Sequence, residues 1–179
     1  LKAAAARFKA AGEAFAARAA AAKNPSARAE LFRKAADCHR KAGDPTAALA
    51  AIDRITAEAG LPPDATAGAW LEKGEILLAG HLYTEAETAL QKAMDAPGPT
   101  AAAARLKLGL AQVEQARGRL RAAATDADRK AADGQLRLAQ GLLAQVADSL
   151  GDQPAERDAR QTARFELGKL LLGRGSIPD

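Results

Sequence analysis

Small and apolar residues recur along this chain at steps of three and four, the spacing of an α-helix that buries one face. The clearest example is a segment in which Trp70, Gly74 and Leu77 share one face of a helix. Glycine inside a helix costs about 1 kcal/mol relative to alanine. Gly74 therefore predicts a second helix that packs close to this face.

The second helix of this pair follows directly in the sequence. After a break at Gly80 and His81, Ala86 and Leu90 lie four residues apart and share one face. Pro97 ends the pattern, because proline lacks the backbone N–H and disfavours helix in the residue before it. The segment therefore predicts a hairpin of two short antiparallel helices.

The same spacing recurs on both sides of this hairpin. Upstream, Ala36 and Ala48 are separated by twelve residues, the same interval that separates the glycine and the alanine of the hairpin. Downstream, Gly109 begins a third copy, but its alanine–leucine pair, Ala139 and Leu143, starts thirty residues later instead of twelve. Repetition at this period indicates stacked helical hairpins, of which the third has overlong helices.

Helix boundaries are marked by residues that cap helices. Gly43 predicts a helix end, and Asp44 and Pro45 predict the capped start of the next helix. Ser26 is predicted to cap the start of the helix that Gly43 ends, through its side-chain oxygen. Thr125 is the candidate cap between the two overlong helices.

These signals predict an all-α chain of about eight helices in a single helical-repeat domain. Composition supports this class: 48% of the residues are hydrophobic, largely alanine, and only 3% are aromatic, whereas strands favour β-branched and aromatic residues. The last helix carries Leu167, Gly168 and Leu171 in the same register as the first helix of the hairpin. The predicted parts are an N-terminal helix (1–23), repeat 1 (26–60), repeat 2 (66–97), an extended helical hairpin (100–150) and a C-terminal capping or truncated repeat helix (155–173).

The motif in the second repeat resembles the tetratricopeptide repeat (TPR), a two-helix unit of about 34 residues. The departures from the family pattern are Lys73 in place of leucine, Leu77 in place of tyrosine and Leu90 in place of phenylalanine. The resemblance implies a right-handed superhelix of antiparallel helical hairpins, an α-solenoid that binds proteins without catalysis. The residues that occupy positions of the family pattern, including the two leucine replacements, are Trp70, Gly74, Leu77, Ala86, Leu90 and Pro97.

Such a superhelix presents the first helix of each repeat on a concave face. The resulting groove would be basic at one end and apolar further along, which suits a peptide or partner helix with an acidic end and apolar anchors. The competing interpretation is a solvated helix face, with the leucines packed on a neighbouring helix. The predicted protein-binding residues are Arg33, Lys34, Asp37, Arg40, Lys41, Leu71, Glu75, Leu78, Leu106, Leu110 and Val113.

The sequence offers no pattern typical of an enzyme, a metal site or a cofactor site. His39 falls on the buried face of its helix, and the neighbouring Cys38 projects about 100° away from it, so the two cannot form a catalytic pair. His81 lies in a turn and is expected to make a local hydrogen bond. A single cysteine also excludes a disulfide framework. We therefore expect no catalysis, no metal and no cofactor.

Charge and apolar segments leave two alternatives open. The formal net charge is +4, and the stretch 117–130 contains five basic residues that could bind nucleic acid. Aromatic side chains for base stacking are missing there, and acidic residues interrupt the stretch. The apolar segment Leu170-Leu171-Leu172 could instead mediate self-association through the C-terminal helix.

Source and compartment are only broadly bounded by the sequence. No apolar run reaches the roughly 20 residues needed to span a bilayer, so we expect a cytoplasmic or periplasmic protein. The bias toward alanine, arginine and glycine suggests a bacterial origin. The chain starts at Leu1 instead of methionine, which suggests a module of a larger protein or assembly.

Overall fold

The structure, a computed structural model, describes residues 2–96, 98–149 and 153–174. Within these residues the chain forms eight α-helices and no strand, so the all-α prediction is confirmed. The predicted end Pro97 lies outside the described residues, as does residue 150, the predicted end of the extended hairpin. The helices are α1 (Lys2–Ala21), α2 (Pro25–Lys41), α3 (Pro45–Thr56), α4 (Pro63–Ala79), α5 (Tyr83–Ala93), α6 (Pro99–Ala122), α7 (Asp126–Ala147) and α8 (Pro154–Arg174).

One predicted helix cap is wrong. The N-cap of α2 is Asn24, whose side-chain oxygen accepts a hydrogen bond of 3.0 Å from the Ala27 backbone N–H. Pro25 occupies the first turn, where its missing N–H costs nothing, and Ser26 follows inside the helix. The predicted caps of α3 and α7 are confirmed: Asp44 accepts from the Ala47 N–H, and Thr125 forms a capping box with Asp128.

Helices α2 and α4 end in the same way. In each, the residue after the C-cap has a positive φ, 77° at Gly43 and 60° at His81. At the first end the Asp44 N–H donates to the His39 carbonyl, and at the second the Leu82 N–H donates to the Leu77 carbonyl. These bonds are typical of the Schellman motif, which turns the chain into the next helix.

The chain divides into two compact units, Leu1–Ala93 and Met94–Asp179. In unit 1, helices α1 to α5 each pack against the next along the chain. Its core is built around the fully buried Ala48, Ile52 and Ile55 of α3, which the sequence predicts to be buried. Alanines fill most other core positions, so the helices lie close together.

Unit 2 contains the overlong hairpin, with 24 residues in α6 and 22 in α7. Helix α8 packs against both of them. The core of this unit includes the fully buried Leu143 together with Val113, Ala163 and Leu170. Helices α6 and α7 are the longest of the eight helices in the described residues, and they pack against each other.

The predicted glycine register is present in both units. At Gly74, a β-carbon would lie 2.7 Å from Leu90 Cδ2 and 3.6 Å from the Ala86 carbonyl oxygen. At Gly109, a β-carbon would lie 3.0 Å from Leu143 Cδ2 and 3.5 Å from the carbonyl oxygen of Ala139. The alanine–leucine pair therefore contacts the glycine in the same way in both units, although twelve residues separate glycine from alanine in unit 1 and thirty in unit 2.

None of the helices in the described part of the chain is both long enough and apolar enough to cross a membrane.

Candidate functional site

A groove of unit 1 lies between α1 and α3, with α2 as its floor. Its volume is about 780 Å³, within the range of sites that hold ligands or peptide side chains. We call it the alanine groove, because small side chains from α1 and α3 form its walls. Its walls and floor include Ala16, Ala20, Phe32, His39, Ala47, Ala50, Ala51 and Ala57.

His39 lies on the floor of the alanine groove and is only 6% exposed. Its ring occupies the space that Gly12 of α1 leaves, since a β-carbon at Gly12 would lie 2.8 Å from His39 Nε2. The buried Nδ1 has no hydrogen-bond partner among the described residues. A buried polar atom without a partner costs about 1–3 kcal/mol, so this atom is a local weakness of the unit 1 core.

The rim of the alanine groove carries charges of both signs. Arg28 Nε lies 3.1 Å from Glu58 Oε2 in an ion pair, although that nitrogen has no partner with hydrogen-bond geometry among the described atoms. Lys9, Glu13 and Arg54 complete the charged rim. The groove therefore combines an apolar interior with a polar rim, the usual arrangement of a protein-binding site.

A second, smaller pocket occupies the equivalent place between α3 and α5, with α4 as its floor. Its volume is about 430 Å³, and we call it the tryptophan pocket because Trp70 lines it. Seven residues of α4 and α5 line it, and six of them lie 38 positions after a residue that lines the alanine groove; the exception is Lys73. The equivalent pairs are Phe32 and Trp70, His39 and Leu77, Ala47 and Glu85, Ala50 and Thr88, Ala51 and Ala89, and Arg54 and Lys92.

Lysines cover the indole of Trp70 in the tryptophan pocket. Lys73 Nζ lies 5.2 Å and Lys92 Nζ 4.2 Å from the ring centroid, both within cation–π range. Lys73 also donates a hydrogen bond of 2.6 Å to Asp53. The side chains of this pocket therefore contact one another, which leaves less room for a ligand.

The alanine groove is wider because its side chains are smaller. Ala47 and Ala50 stand where the tryptophan pocket has Glu85 and Thr88, and a phenylalanine replaces the tryptophan. The sequence prediction missed this site, because alanine fits any face of a helix and gives no periodic signal. The sequence signal that could have revealed the groove is the smaller side chains of the first repeat at positions equivalent to larger ones in the second.

The predicted basic residues of α2 are partly occupied by contacts within unit 1. Arg33 Nε lies 2.6 Å from an oxygen of Glu72, and its Nη1 lies 2.7 Å from Glu30. Lys41 donates a hydrogen bond of 2.6 Å to Asp37, and this bond raises the pKa of the exposed Lys41. These pairs lower the net positive charge that this face offers to an acidic partner.

Helices α2 and α4 bring two of the other predicted residues together. Arg40 and Glu75 line one small pocket of about 300 Å³ beside Ile76, and Lys34 is exposed. Burial raises the pKa of Glu72, and the nearby Arg33 guanidinium only partly offsets this rise. Glu72, which the sequence prediction did not include, is therefore the partner on α4 that holds the predicted Arg33 of α2.

The predicted apolar residues lie in several environments. In unit 1, Leu71 is half-buried, and Leu78 packs partly buried against a cluster that includes Leu77. In unit 2, Leu106 is 8% and Val113 2% exposed, because α7 and α8 pack around them, and Leu110 packs partly buried against the same core. For Leu106, Leu110 and Val113, the environment is therefore that of the competing interpretation, in which apolar side chains pack on neighbouring helices.

The basic stretch 117–130 lies at the ends of α6 and α7 that face the turn between them. Within this stretch Arg117 pairs with Glu114 at 3.0 Å, and Arg129 pairs with Asp126 at 3.5 Å. Arg119 is exposed. The nearby acidic groups reduce the positive potential that a phosphate backbone would meet.

The remaining chemical groups form local contacts. His81 Nδ1 lies 3.1 Å from the Tyr83 hydroxyl, which agrees with the expected local hydrogen bond. Across the described residues no three histidine, cysteine or acidic side chains are arranged to hold a metal ion. Cys38 is a free, half-buried thiol.

Comparison of the chain with protein-family models, with curated proteins and with solved structures gives no match.

Proposed function

We propose that the chain is a TPR-like, non-catalytic protein-interaction module that binds a peptide or helix of a partner protein in the alanine groove of unit 1. The observation that carries this proposal is the groove itself, about 780 Å³ in volume, walled by alanines and floored by Phe32 and His39. An extended or helical segment can place bulky apolar side chains into such a hollow and its polar groups at the rim.

The resemblance to TPR proteins is supported by internal repetition. The contact of a leucine with a helix glycine occurs at Gly74 and again at Gly109, and the alanine groove and the tryptophan pocket share equivalent lining positions. We include in the proposal the superhelical arrangement of hairpins that the family has. The concave face formed by α2 and α4 is a weaker candidate site, since Arg33 and Lys41 are held in ion pairs there.

The test of this proposal fills the alanine groove with residues from the chain's own second repeat. The double variant Ala47→Glu and Ala50→Thr introduces the side chains that narrow the tryptophan pocket. Ala47 lies in the first turn of α3, where glutamate favours the helix, and neither alanine is fully buried. The variant is therefore expected to fold, which circular dichroism checks.

Peptides selected against the immobilised chain from a displayed library serve as the probe. We expect the groove variant to lose at least tenfold in affinity for them, a difference of about 1.4 kcal/mol. The matched control, Ala10→Glu with Ala17→Thr, places the same side chains at exposed positions of α1 outside the groove and should bind as the parent does. Equal affinities of groove variant and control would refute the alanine groove as the binding site.

A further inference from the structure

Helix α8 buries one face and exposes the opposite one. Ala159, Ala163 and Leu170 pack into the core of unit 2. On the other side, Phe165 is 67% and Leu171 64% exposed. Gly168 lies between these two residues on the helical wheel. Exposed large apolar side chains grouped on one helix face are typical of a binding surface.

The buried face of α8 corresponds to a buried face of α4. Ala163 and Leu170 lie 94 positions after Ala69 and Ile76, which are buried in the core of unit 1. The two helices therefore use equivalent positions for the same purpose. The same offset makes Gly168 the counterpart of Gly74.

The glycine positions differ in what covers them. Leu90 covers Gly74 in α4, and Leu143 covers Gly109 in α6, each together with the carbonyl oxygen of an alanine four residues earlier. At Gly168, a β-carbon would meet no described atom within 4 Å. The chain thus contains two occupied examples of this glycine contact and one open example.

We propose that the face of α8 around Gly168 binds an α-helix of a partner protein that carries the spacing Ala-x-x-x-Leu. The two occupied examples specify this chemistry. The glycine lets the backbones approach, the alanine permits that approach from the partner's side, and the leucine fills the space above the glycine. Phe165 and Leu171 flank the contact and are buried with it.

Charge specifies one further position of the partner helix. In unit 1, Lys92 of α5 stacks on Trp70, with 4.2 Å between Nζ and the ring centroid, and Lys92 lies two residues after the leucine. The counterpart of Trp70 in α8 is Arg164, which is exposed. Arginine repels lysine and attracts a carboxylate, so the partner sequence is Ala-x-x-x-Leu-x-Asp or Ala-x-x-x-Leu-x-Glu.

This surface goes beyond the proposed function, because it lies in unit 2 and uses none of the residues that line the alanine groove. Either proposal can therefore fail while the other holds.

The probe for α8 is a helix-stapled synthetic peptide of residues 82–96 with the change Lys92→Glu, which contains the Ala86–Leu90 spacing. The staple lies on the face opposite these two residues, so that the helix is formed before it binds. Binding to the intact chain is followed by NMR, with the resonances of Phe165, Gly168 and Leu171 as the expected sites of change. The unchanged peptide, which keeps lysine at position 92, is the charge control.

Gly168→Ala is the decisive variant. Its methyl group meets no described atom in the free chain, and alanine favours helix over glycine, so the fold is retained. In the complex the same methyl group lies where the leucine inserts, and we expect at least a tenfold loss of affinity for the probe. Gly141→Ala in α7, another open glycine, is the matched control and should bind as the parent does.

Three outcomes would overturn the proposal: no binding at millimolar peptide, equal affinity of the parent and Gly168→Ala, or tighter binding of the lysine peptide than of the glutamate peptide. Sedimentation of the chain without peptide shows whether a second copy of the chain, and not a partner helix, occupies this face. Self-association that Gly168→Ala abolishes would replace the partner helix with another copy of this chain and so overturn the proposal as stated.

Discussion

Gly74 and Gly141 both lie inside helices, yet a methyl group would have opposite effects at the two positions. At Gly74 the added β-carbon would lie 2.7 Å from two carbons of Leu90, which is fully buried, so that the surrounding packing would have to shift. At Gly141 no described atom lies within 4 Å of that position. The local packing, and not the residue type, therefore decides whether a glycine-to-alanine substitution stabilises or destabilises the chain.

We predict that Gly74→Ala lowers the free energy of unfolding by about 1–3 kcal/mol through overpacking, a loss greater than the gain in helix propensity. Gly141→Ala should raise it by up to about 1 kcal/mol, because only the propensity changes. Urea denaturation followed by circular dichroism measures both variants. An increase in stability for Gly74→Ala would show that α4 and α5 are less closely packed than the structure indicates.

At the scale of an element, the two equivalent helix ends after α2 and α4 use different residues for the same backbone conformation. Gly43 adopts its positive φ without a side-chain penalty. His81 adopts a φ of 60° at the equivalent place, where a residue with a β-carbon is strained. Its hydrogen bond to the exposed Tyr83 hydroxyl is a weak compensation.

We therefore predict that His81→Gly stabilises the chain by about 1 kcal/mol, seen as a rise in the melting temperature. Gly43→Ala should destabilise it by a similar amount, because it introduces at α2 the strain that the first variant removes at α4. A fall in the melting temperature of His81→Gly would mean that the imidazole contact outweighs the backbone strain.

At the scale of the whole molecule, the half-buried carboxyl of Glu72 links stability to pH. Burial raises the pKa of Glu72 above its ordinary value of 4.5, against the opposing effect of Arg33. The folded chain thus binds this proton more tightly than the unfolded chain does. The contribution of this group to stability is fully present below pH 4.5 and is lost as the pH rises through the raised pKa.

The variant Glu72→Gln removes this titration. We predict that the parent loses stability relative to the variant as the pH rises from about 4 to about 7, which melting temperatures of both proteins across this range will show. Glu13→Gln, a change at an exposed carboxyl of α1 in the same unit, is the control for a general effect of charge. A parent that gains stability relative to Glu72→Gln over this range would show that the ion pair with Arg33 dominates.

Much of the helical framework could be predicted from the sequence because glycine and leucine constrain their neighbours. A glycine inside a helix requires close approach of another backbone, and so Gly109 and Leu143 could be paired across 34 positions. Asn24 and Ser26 are both good capping residues on either side of one proline. The choice of Asn24 follows from the position of Pro25 in the first turn, which the pattern alone did not decide.

The candidate site was less accessible to sequence reasoning. Leu106 and Val113 have the spacing of both an exposed apolar stripe and a buried one, and only the packing of α7 and α8 distinguishes the two. The alanine groove results from side chains that are missing, and a missing side chain leaves no periodic signal. The groove becomes apparent when the two repeats are compared, because Ala47 and Ala50 occupy the positions that are equivalent to Glu85 and Thr88.

The overlong hairpin of unit 2 has a further consequence for how the chain opens. Its buried contacts include Ala116 in α6 and Ala132 in α7, whereas residues 124–131 are exposed. Beyond those contacts Leu120 packs partly buried against the core, and the turns that follow it are stabilised by their own hydrogen bonds and by the Thr125 capping box. They can therefore unfold and refold as a local event while the core of the unit stays closed. For the same reason, this turn is the natural place to insert a label or a foreign sequence without loss of the fold.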